Sequence, residues 1–340
     1  MNYATITKLN LPEYLAERDV LVCLARPSRN RAKQLAILEL SIVLGGLGEY
    51  VTNGPLGDVR GVVSFFVKKG HDDALLALLK TVGYCNTFYK LDFSLQNPDT
   101  TDEIASINPF YWKGRPFHVI RFYAESEEEY RERSIENREF AVLGDDGAVR
   151  RIKGYRGDGS EAGRRGLPLE DAVLMVNLAD PRNIGSLFDP FAGGGGILHA
   201  ARTIRPSLRL LSCDVEARLE PGLRMYANVH RAADARELEL GETVDAIVTE
   251  VPFSGNYTGV ITQAFDNLSR FLRERGRVVC MCSTDQFSLI AECLRRNDLH
   301  CLFGKTLDRK GTTVSVSLWT GDEGYAKSLG EYFRMLAAVV

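Results

Sequence analysis

Four short stretches in the second half of the chain carry residue types suited to holding a nucleoside and setting a carboxylate beside it. The first is Asp189-Pro190-Phe191-Ala192-Gly193-Gly194-Gly195-Gly196, between an apolar run and a helical pattern. Glycines there let the backbone approach a ligand closely and leave the N–H groups of the following helix free. Their spacing is not G-x-G-x-x-G, so a dinucleotide fingerprint fits poorly. The second is Asp214, just after the next apolar run, where a carboxylate can accept both hydroxyls of a ribose. The third is Asp234 in Ala233-Asp234-Ala235-Arg236, an acid that can accept a hydrogen bond from an adenine amino group. The fourth is Glu250-Val251-Pro252-Phe253. Each alone has a structural alternative, such as a turn that only closes the backbone or an acid that caps a helix. All four in this order on one scaffold favour a ligand site.

The elements that must position them alternate. Strands are expected at 186–189, 208–213, 245–249 and 277–282, with two more near 299–307 and 312–319. Helices are expected at 168–179, from about 196, and at 217–229, 260–274 and 287–296. Such alternation predicts a mainly parallel, doubly wound sheet. The polar turn Asp308-Arg309-Lys310-Gly311 makes the last two strands an antiparallel hairpin at its edge. Ligands in these sheets bind beyond the C-terminal strand ends, where all four stretches fall. His199 follows the glycine loop on a helix and reads as packing; Asn177 reads as a cofactor neighbour or a helix C-cap.

The first half reads differently. A strand at 20–25, a helix at 31–44 and a weak strand at Tyr50-Val51-Thr52 are followed by a strand at 59–67, a helix at 72–82 and a strand at 87–93. That β-α-β-β-α-β order predicts a small α+β, ferredoxin-like module. A further strand at 116–124, a charged helix face at 125–139 and a hairpin around Gly144-Asp145-Asp146-Gly147 follow. Residues 150–166 hold Arg150, Arg151, Lys153, Arg156, Arg164 and Arg165 against Asp158 and Glu161. This segment is either a solvated linker or a phosphate-contacting loop, in which Tyr155 could stack on a base. The expected division is a module over 1–98, a linker, THUMP-like or hairpin region with its basic loop over 99–167, and the sheet domain over 168–340.

A chain of 340 residues suits about two domains at roughly 100–200 residues each. Its composition excludes disorder, collagen and disulfide-knot classes. Seven scattered cysteines without C-x-x-C pairs predict neither a zinc site nor an oxidising compartment. The absence of a signal-peptide core at the first residues and of any long apolar run predicts a cytoplasmic protein with no membrane span. The net charge of −3 argues against a large non-specific nucleic-acid footprint and leaves room for a local basic patch.

The motifs resemble those of class I S-adenosylmethionine-dependent methyltransferases, and more narrowly the THUMP-related tRNA guanosine-N2 methyltransferases. LFDPFAGGGGILHAA is similar to that family's DPFxG(S/T)GG-type loop, CDVEARLEPGLRMYANV to its acidic strand end and following helix, and ADAREL to its GDAREL stretch. GRRGLPLEDAVLMVNLA is similar to its lead-in helix, and the likeness covers about 150–320. Departures are Gly194 where the family has Ser or Thr, Ala200 where it has Glu, and Glu250-Val251-Pro252-Phe253 where it has (D/N)PP(Y/F).

The resemblance implies a Rossmann-like methyltransferase domain with S-adenosyl-L-methionine as cofactor and RNA, especially tRNA, as partner. It implies cofactor contacts from Asp189, Phe191, Gly193, Gly195, Asp214, Asp234, Ala235 and Glu250. Methyl transfer to an exocyclic amine is a displacement at a sulfonium methyl, and needs the amine lone pair turned toward that methyl. Glu250 and the Val251 carbonyl are assigned to accept the two N–H bonds, Phe253 to stack on the base, and Pro252 to stiffen the turn. Arg156, Arg164, Arg165, Lys305 and Arg309, with Lys310, are assigned to RNA phosphates, and no metal is expected. The rival readings are a DNA amino-methyltransferase and a catalytically silent RNA-binding protein of the same fold.

Overall fold

A computed structural model describes residues 16–25, 32–45, 61–92, 118–134, 138–153, 167–253, 258–309 and 312–327. The chain divides into two compact units, residues 1–126 with 328–340, and residues 127–327.

In the first unit β1 (Arg18–Ala25) is a nearly continuous apolar run, as a strand covered on both faces must be. It is followed by α1 (Ala32–Val43), β2 (Val62–Lys68), α2 (Asp72–Leu79), β3 (Cys85–Asp92) and β4 (His118–Ala124). The sheet order is β2-β1-β3-β4, with every neighbouring pair antiparallel. β2 and β3 therefore run parallel with β1 between them and α2 as their connection, a split β-α-β unit. Inside this unit the buried Glu39 carboxylate accepts the backbone N–H groups of Gly83 and Tyr84, each at 2.8 Å. The strand expected at 50–52 lies outside the described residues. The strand expected at 116–124 is β4, which extends this sheet beyond β3.

The second unit opens with α3 (Glu127–Arg133) and the hairpin of β5 (Glu139–Leu143) and β6 (Val149–Lys153). Then come α4 (Leu169–Leu178), β7 (Ser186–Asp189), α5 (Gly196–Ile204) and β8 (Arg209–Asp214). A 3₁₀ turn (Ala217–Leu219) runs into α6 (Glu220–Leu223), followed by β9 (Val229–Ala232), β10 (Val244–Glu250) and α7 (Thr258–Ser269). β11 (Leu272–Ser283), α8 (Thr284–Arg296), β12 (His300–Arg309) and β13 (Thr312–Thr320) complete it.

The seven strands are ordered β12-β13-β11-β10-β7-β8-β9. β7, β8, β9, β10 and β11 pair in parallel, while β13 is antiparallel to both β11 and β12. This is a mostly parallel α/β sheet of Rossmann type, with the expected hairpin at one edge and β12 outermost. The chain moves outward from β7 through β8 to β9, then returns to β10 on the other side of β7. The topological switch point therefore lies between β7 and β10, and their C-terminal ends carry Asp189 and Glu250.

Two helix expectations are corrected. The helix expected at 217–229 is only the 3₁₀ turn and α6, and 229–232 is a strand. Gly222 explains part of this: a Cβ there would lie 2.4 Å from the Phe140 ring, so the segment is shaped to seat that ring. Asn228 then starts the pairing with β8, its N–H donating to the Leu210 carbonyl and its side-chain oxygen accepting from Leu210, both at 2.8 Å. The helix expected at 260–274 ends at Ser269, whose hydroxyl turns back to the Phe265 carbonyl at 2.8 Å, and Leu272 already belongs to β11.

Candidate functional site

The C-terminal edge of the second unit's sheet gathers the acids that end its strands. Asp189 closes β7 as part of a run buried at all four positions, because both faces of this central strand are covered. Its Oδ1 accepts the Thr249 hydroxyl at 2.8 Å and the Phe191 N–H at 3.3 Å. Burial outweighs these bonds, and with Asp214 and Glu250 adding negative potential it pushes the carboxyl up from 3.8 to about 7. Asp214 and Glu250 are thus each within electrostatic reach of Asp189.

Asp214 ends β8 and is buried. Its Oδ2 accepts the Gly193 N–H at 2.7 Å and its Oδ1 the Glu216 N–H at 2.9 Å. The carboxylate therefore clamps the glycine loop to the β8 end, with one lone pair on each oxygen left for a diol. Gly193 and Gly195 have φ of +48° and +76°, in the left-handed region that a side chain disfavours. Gly195 is the N-cap of α5, so the helix N-terminus begins at this edge. Leu223, Tyr226 and Phe140 crowd the Gly195 position, its would-be Cβ meeting them at 3.5, 3.4 and 3.7 Å. The hairpin that carries Phe140 thus packs directly against the glycine loop.

Asp234 and Ala235 lie past β9. The Asp234 carboxylate is gripped by its neighbour Arg236, with Nε 3.0 Å from both oxygens and Nη2 2.6 Å from Oδ2, and this pairing holds its carboxyl below the usual range. Any further donor to Asp234 must share it with that guanidinium. Ala235 is buried, and its carbonyl accepts the Asn267 side-chain amide at 3.0 Å.

Glu250 ends β10 in register with Met281 of β11. The next residue, Val251, is fully buried and donates its N–H to the Met281 carbonyl at 2.8 Å, a bond that a proline at this position could not make. The Pro252 carbonyl accepts the Gln286 side-chain amide at 2.8 Å. Pro252 is exposed and Phe253 half-buried, as a turn open on one side requires.

Three residues beyond those picked from the sequence belong to this edge. Thr249 holds Asp189; Gln286 holds the Glu250–Phe253 turn; Val215, next to Asp214, is 70% exposed. Gln286 was legible as the last residue of Ser283-Thr284-Asp285-Gln286, a capping-box pattern. An exposed valine has no sequence signature.

Other expected residues lie elsewhere. Arg156, Arg164, Arg165, Tyr155 and Lys310 are outside the described residues. Arg309 lies at the end of β12. Lys305 on β12 is in register with Val316, which is in register with Met281 and so with Glu250. The four share one row and one face of the sheet, Lys305 standing three strands, or about 14 Å, from Glu250. His199 is a packing residue, its Nε2 2.9 Å from the Arg133 carbonyl and its ring edge-on to Tyr226. Asn177 is fully buried inside α4 and does not cap it. Among the described residues no group of three or more His, Cys, Asp or Glu could hold a metal ion, and no helix is long and apolar enough to cross a membrane.

No family model matches the chain. Over 131 residues it is 29% identical to the tRNA (guanine(10)-N2)-dimethyltransferase of Methanothermobacter thermautotrophicus, a match spanning 35% of this chain and 38% of that protein. The matched stretch is thus well under half the length of that relative. Among solved structures, TrmN from Thermus thermophilus aligns at 15% identity and a TM-score of 0.46, over 89% of this chain and 99% of that one. The N-methyltransferase NodS from Bradyrhizobium japonicum WM9, in complex with S-adenosyl-L-homocysteine, aligns at 15% identity and a TM-score of 0.39, over 53% and 94%. The resemblance drawn from the motifs agrees with this relative over the matched stretch.

Proposed function

We propose that the second unit binds S-adenosyl-L-methionine and transfers its methyl group to an exocyclic base amine of RNA, guanosine N2 in tRNA, in the cytoplasm. The observation that carries this reading is the trio Asp189, Asp214 and Glu250 at the C-terminal ends of three adjacent strands, β7, β8 and β10. Among the described residues neither Asp189 nor Asp214 has a basic partner. Asp189, once ionised, and Asp214 favour a cation beside them, and a sulfonium with a neighbouring ammonium is one.

The residues present suit the cofactor part by part. Asp214 keeps acceptor capacity for a ribose diol, and exposed Val215 beside it offers an apolar surface to an adenine face. The free N–H groups at the start of α5 and their helix dipole favour a carboxylate. When bound, the cofactor supplies a methyl group activated on sulfur.

The chain's own groups do the rest. Glu250 and the Val251 carbonyl accept the two amine N–H bonds, turning the nitrogen lone pair toward the methyl. Glu250 also opposes the positive charge that grows on nitrogen as the bond forms. Phe253 stacks on the base, and this turn reaches a paired nucleotide only if the base is extruded. The gain is mainly positioning, which can supply about 7–11 kcal/mol of a barrier. A nearby RNA phosphate would meet Lys305, in the row of Glu250, and Arg309. Arg156, Arg164 and Arg165 of the basic 150–166 segment, with the ferredoxin-like module read over 1–98, would extend the RNA contact.

A calorimetric titration of the purified chain with S-adenosyl-L-methionine tests the reading. Saturable one-site binding is expected, and S-adenosyl-L-homocysteine, which lacks the sulfonium charge, should bind with a different pH dependence. No binding at millimolar ligand would contradict it.

A further inference from the structure

The Glu250-Val251-Pro252-Phe253 turn is tied at two points by groups that take no part in the chemistry assigned above. Val251 N–H is fixed to the Met281 carbonyl at 2.8 Å, and the Pro252 carbonyl is fixed to Gln286 Nε2, also at 2.8 Å. These bonds orient the peptide before Val251 and the peptide after Pro252. The Val251 carbonyl belongs to the peptide between them, so its direction is set from both sides.

Gln286 is itself held from both ends. Its Oε1 accepts the Ser283 N–H at 3.0 Å, and its backbone N–H donates to the Ser283 hydroxyl at 3.3 Å, which together form the capping box of α8. The side chain is nearly buried, at 9% exposure. A capping box needs only an acceptor at this position, and Glu serves there as well as Gln. The second arm of the amide is what a carboxylate lacks: a carboxylate would set a lone pair against the Pro252 carbonyl. One planar amide thus joins the start of α8 to the turn that ends β10, linking the C-terminal ends of two adjacent strands.

We propose that Gln286 is a positioning residue for methyl transfer: through the Pro252 carbonyl it holds the Glu250–Phe253 turn with the Val251 carbonyl and the Phe253 ring aimed at the acceptor base. This rests on the methyltransferase reading of the same site. It predicts that the capping and positioning roles separate. Gln286→Glu keeps the capping acceptor and loses the donor. Ser283→Ala loses the hydroxyl of the cap but leaves Ser283's backbone N–H and the Gln286–Pro252 bond in place.

The test uses the full chain. Amide hydrogen exchange over 250–253 and over α8 is measured for both variants, alongside thermal unfolding and the kcat and KM for methyl transfer to bulk tRNA. Gln286→Glu should speed exchange in the turn while α8 stays protected. It should lower kcat by roughly 10- to 100-fold, the scale of a slightly misplaced reacting group, with little change in KM for S-adenosyl-L-methionine. Ser283→Ala should lower the melting temperature and leave the turn's exchange and kcat near wild type. Unchanged turn exchange or unchanged kcat in Gln286→Glu overturns the proposal, as does a kcat loss in Ser283→Ala equal to that in Gln286→Glu. If the wild-type chain methylates no RNA, the methyltransferase reading fails, and the exchange data alone still show whether Gln286 holds the turn.

Discussion

Asp189 shows what the site costs the fold. In the unfolded chain its carboxyl titrates near 3.8, and in the folded unit near 7. Between those values the folded state holds a proton that the unfolded state has released. Stability from this group is fully present below about pH 4 and is lost as pH rises through about 7. The loss is about 4 kcal/mol at the ordinary 1.36 kcal/mol for each pH unit. Asp189→Asn keeps an oxygen to accept from Thr249 and Phe191 and removes the charge. Denaturant unfolding should show the variant more stable than wild type by a few kcal/mol at pH 8 and equal to it near pH 4. An equal or lower stability at pH 8 would mean that the carboxylate is not destabilising. On the proposed function the same acid would make cofactor binding pH-dependent: a bound sulfonium favours the ionised form, so affinity should rise as pH rises through about 7, with proton release measurable by calorimetry in buffers of different ionisation enthalpy. Strained or unsatisfied groups of this kind are expected where function opposes stability.

At the scale of elements, the glycine loop is held from two sides. Asp214 binds it through the Gly193 N–H, and Phe140 of the β5–β6 hairpin packs against Gly195 and Gly222. Phe140→Ala empties a buried ring site and should lower unfolding stability by about 3–5 kcal/mol. Gly222→Ala should also be destabilising, since its methyl must displace that ring. Thermal unfolding reads both, and a near-neutral Phe140→Ala would mean that the hairpin is not part of this core.

Local pattern made some of this readable. Asp189, Asp214 and Glu250 stand out because each ends a short apolar run that only a buried strand explains. β9 was invisible because Val229–Ala232 is four residues long, with one of them fully buried. The 217–229 segment has helical spacing, and the seat for Phe140 from some 80 positions earlier decides against it. Such long-range packing is absent from any window of sequence. Gln286 illustrates the same limit. Its capping role is local and legible, whereas its bond to Pro252 exists only because β10 and β11 pair in parallel.

At the scale of the molecule, a net charge of −3 and an RNA substrate are compatible if basic groups are local. The acids of the second unit include Asp189, Asp214 and Glu250 at the C-terminal edge of its sheet, which on the proposed function would face a cationic ligand. Lys305 lies in the row of Glu250, and the 150–166 segment holds six basic residues against two acids; on the proposed function these would meet phosphates. The order β12-β13-β11-β10-β7-β8-β9 is what brings strand ends so far apart in sequence to one edge.

The central claim is methyl transfer from this edge to a guanosine amine, and nucleoside mass spectrometry tests it most directly. Purified chain, isotopically labelled S-adenosyl-L-methionine and tRNA from cells lacking the protein are incubated, and the RNA is digested. Labelled N2-methylguanosine or its dimethyl form should appear with the wild-type chain and fall by about 100-fold or more with Glu250→Ala. Label in another nucleoside, or undiminished N2-methylguanosine from Glu250→Ala, would contradict the account.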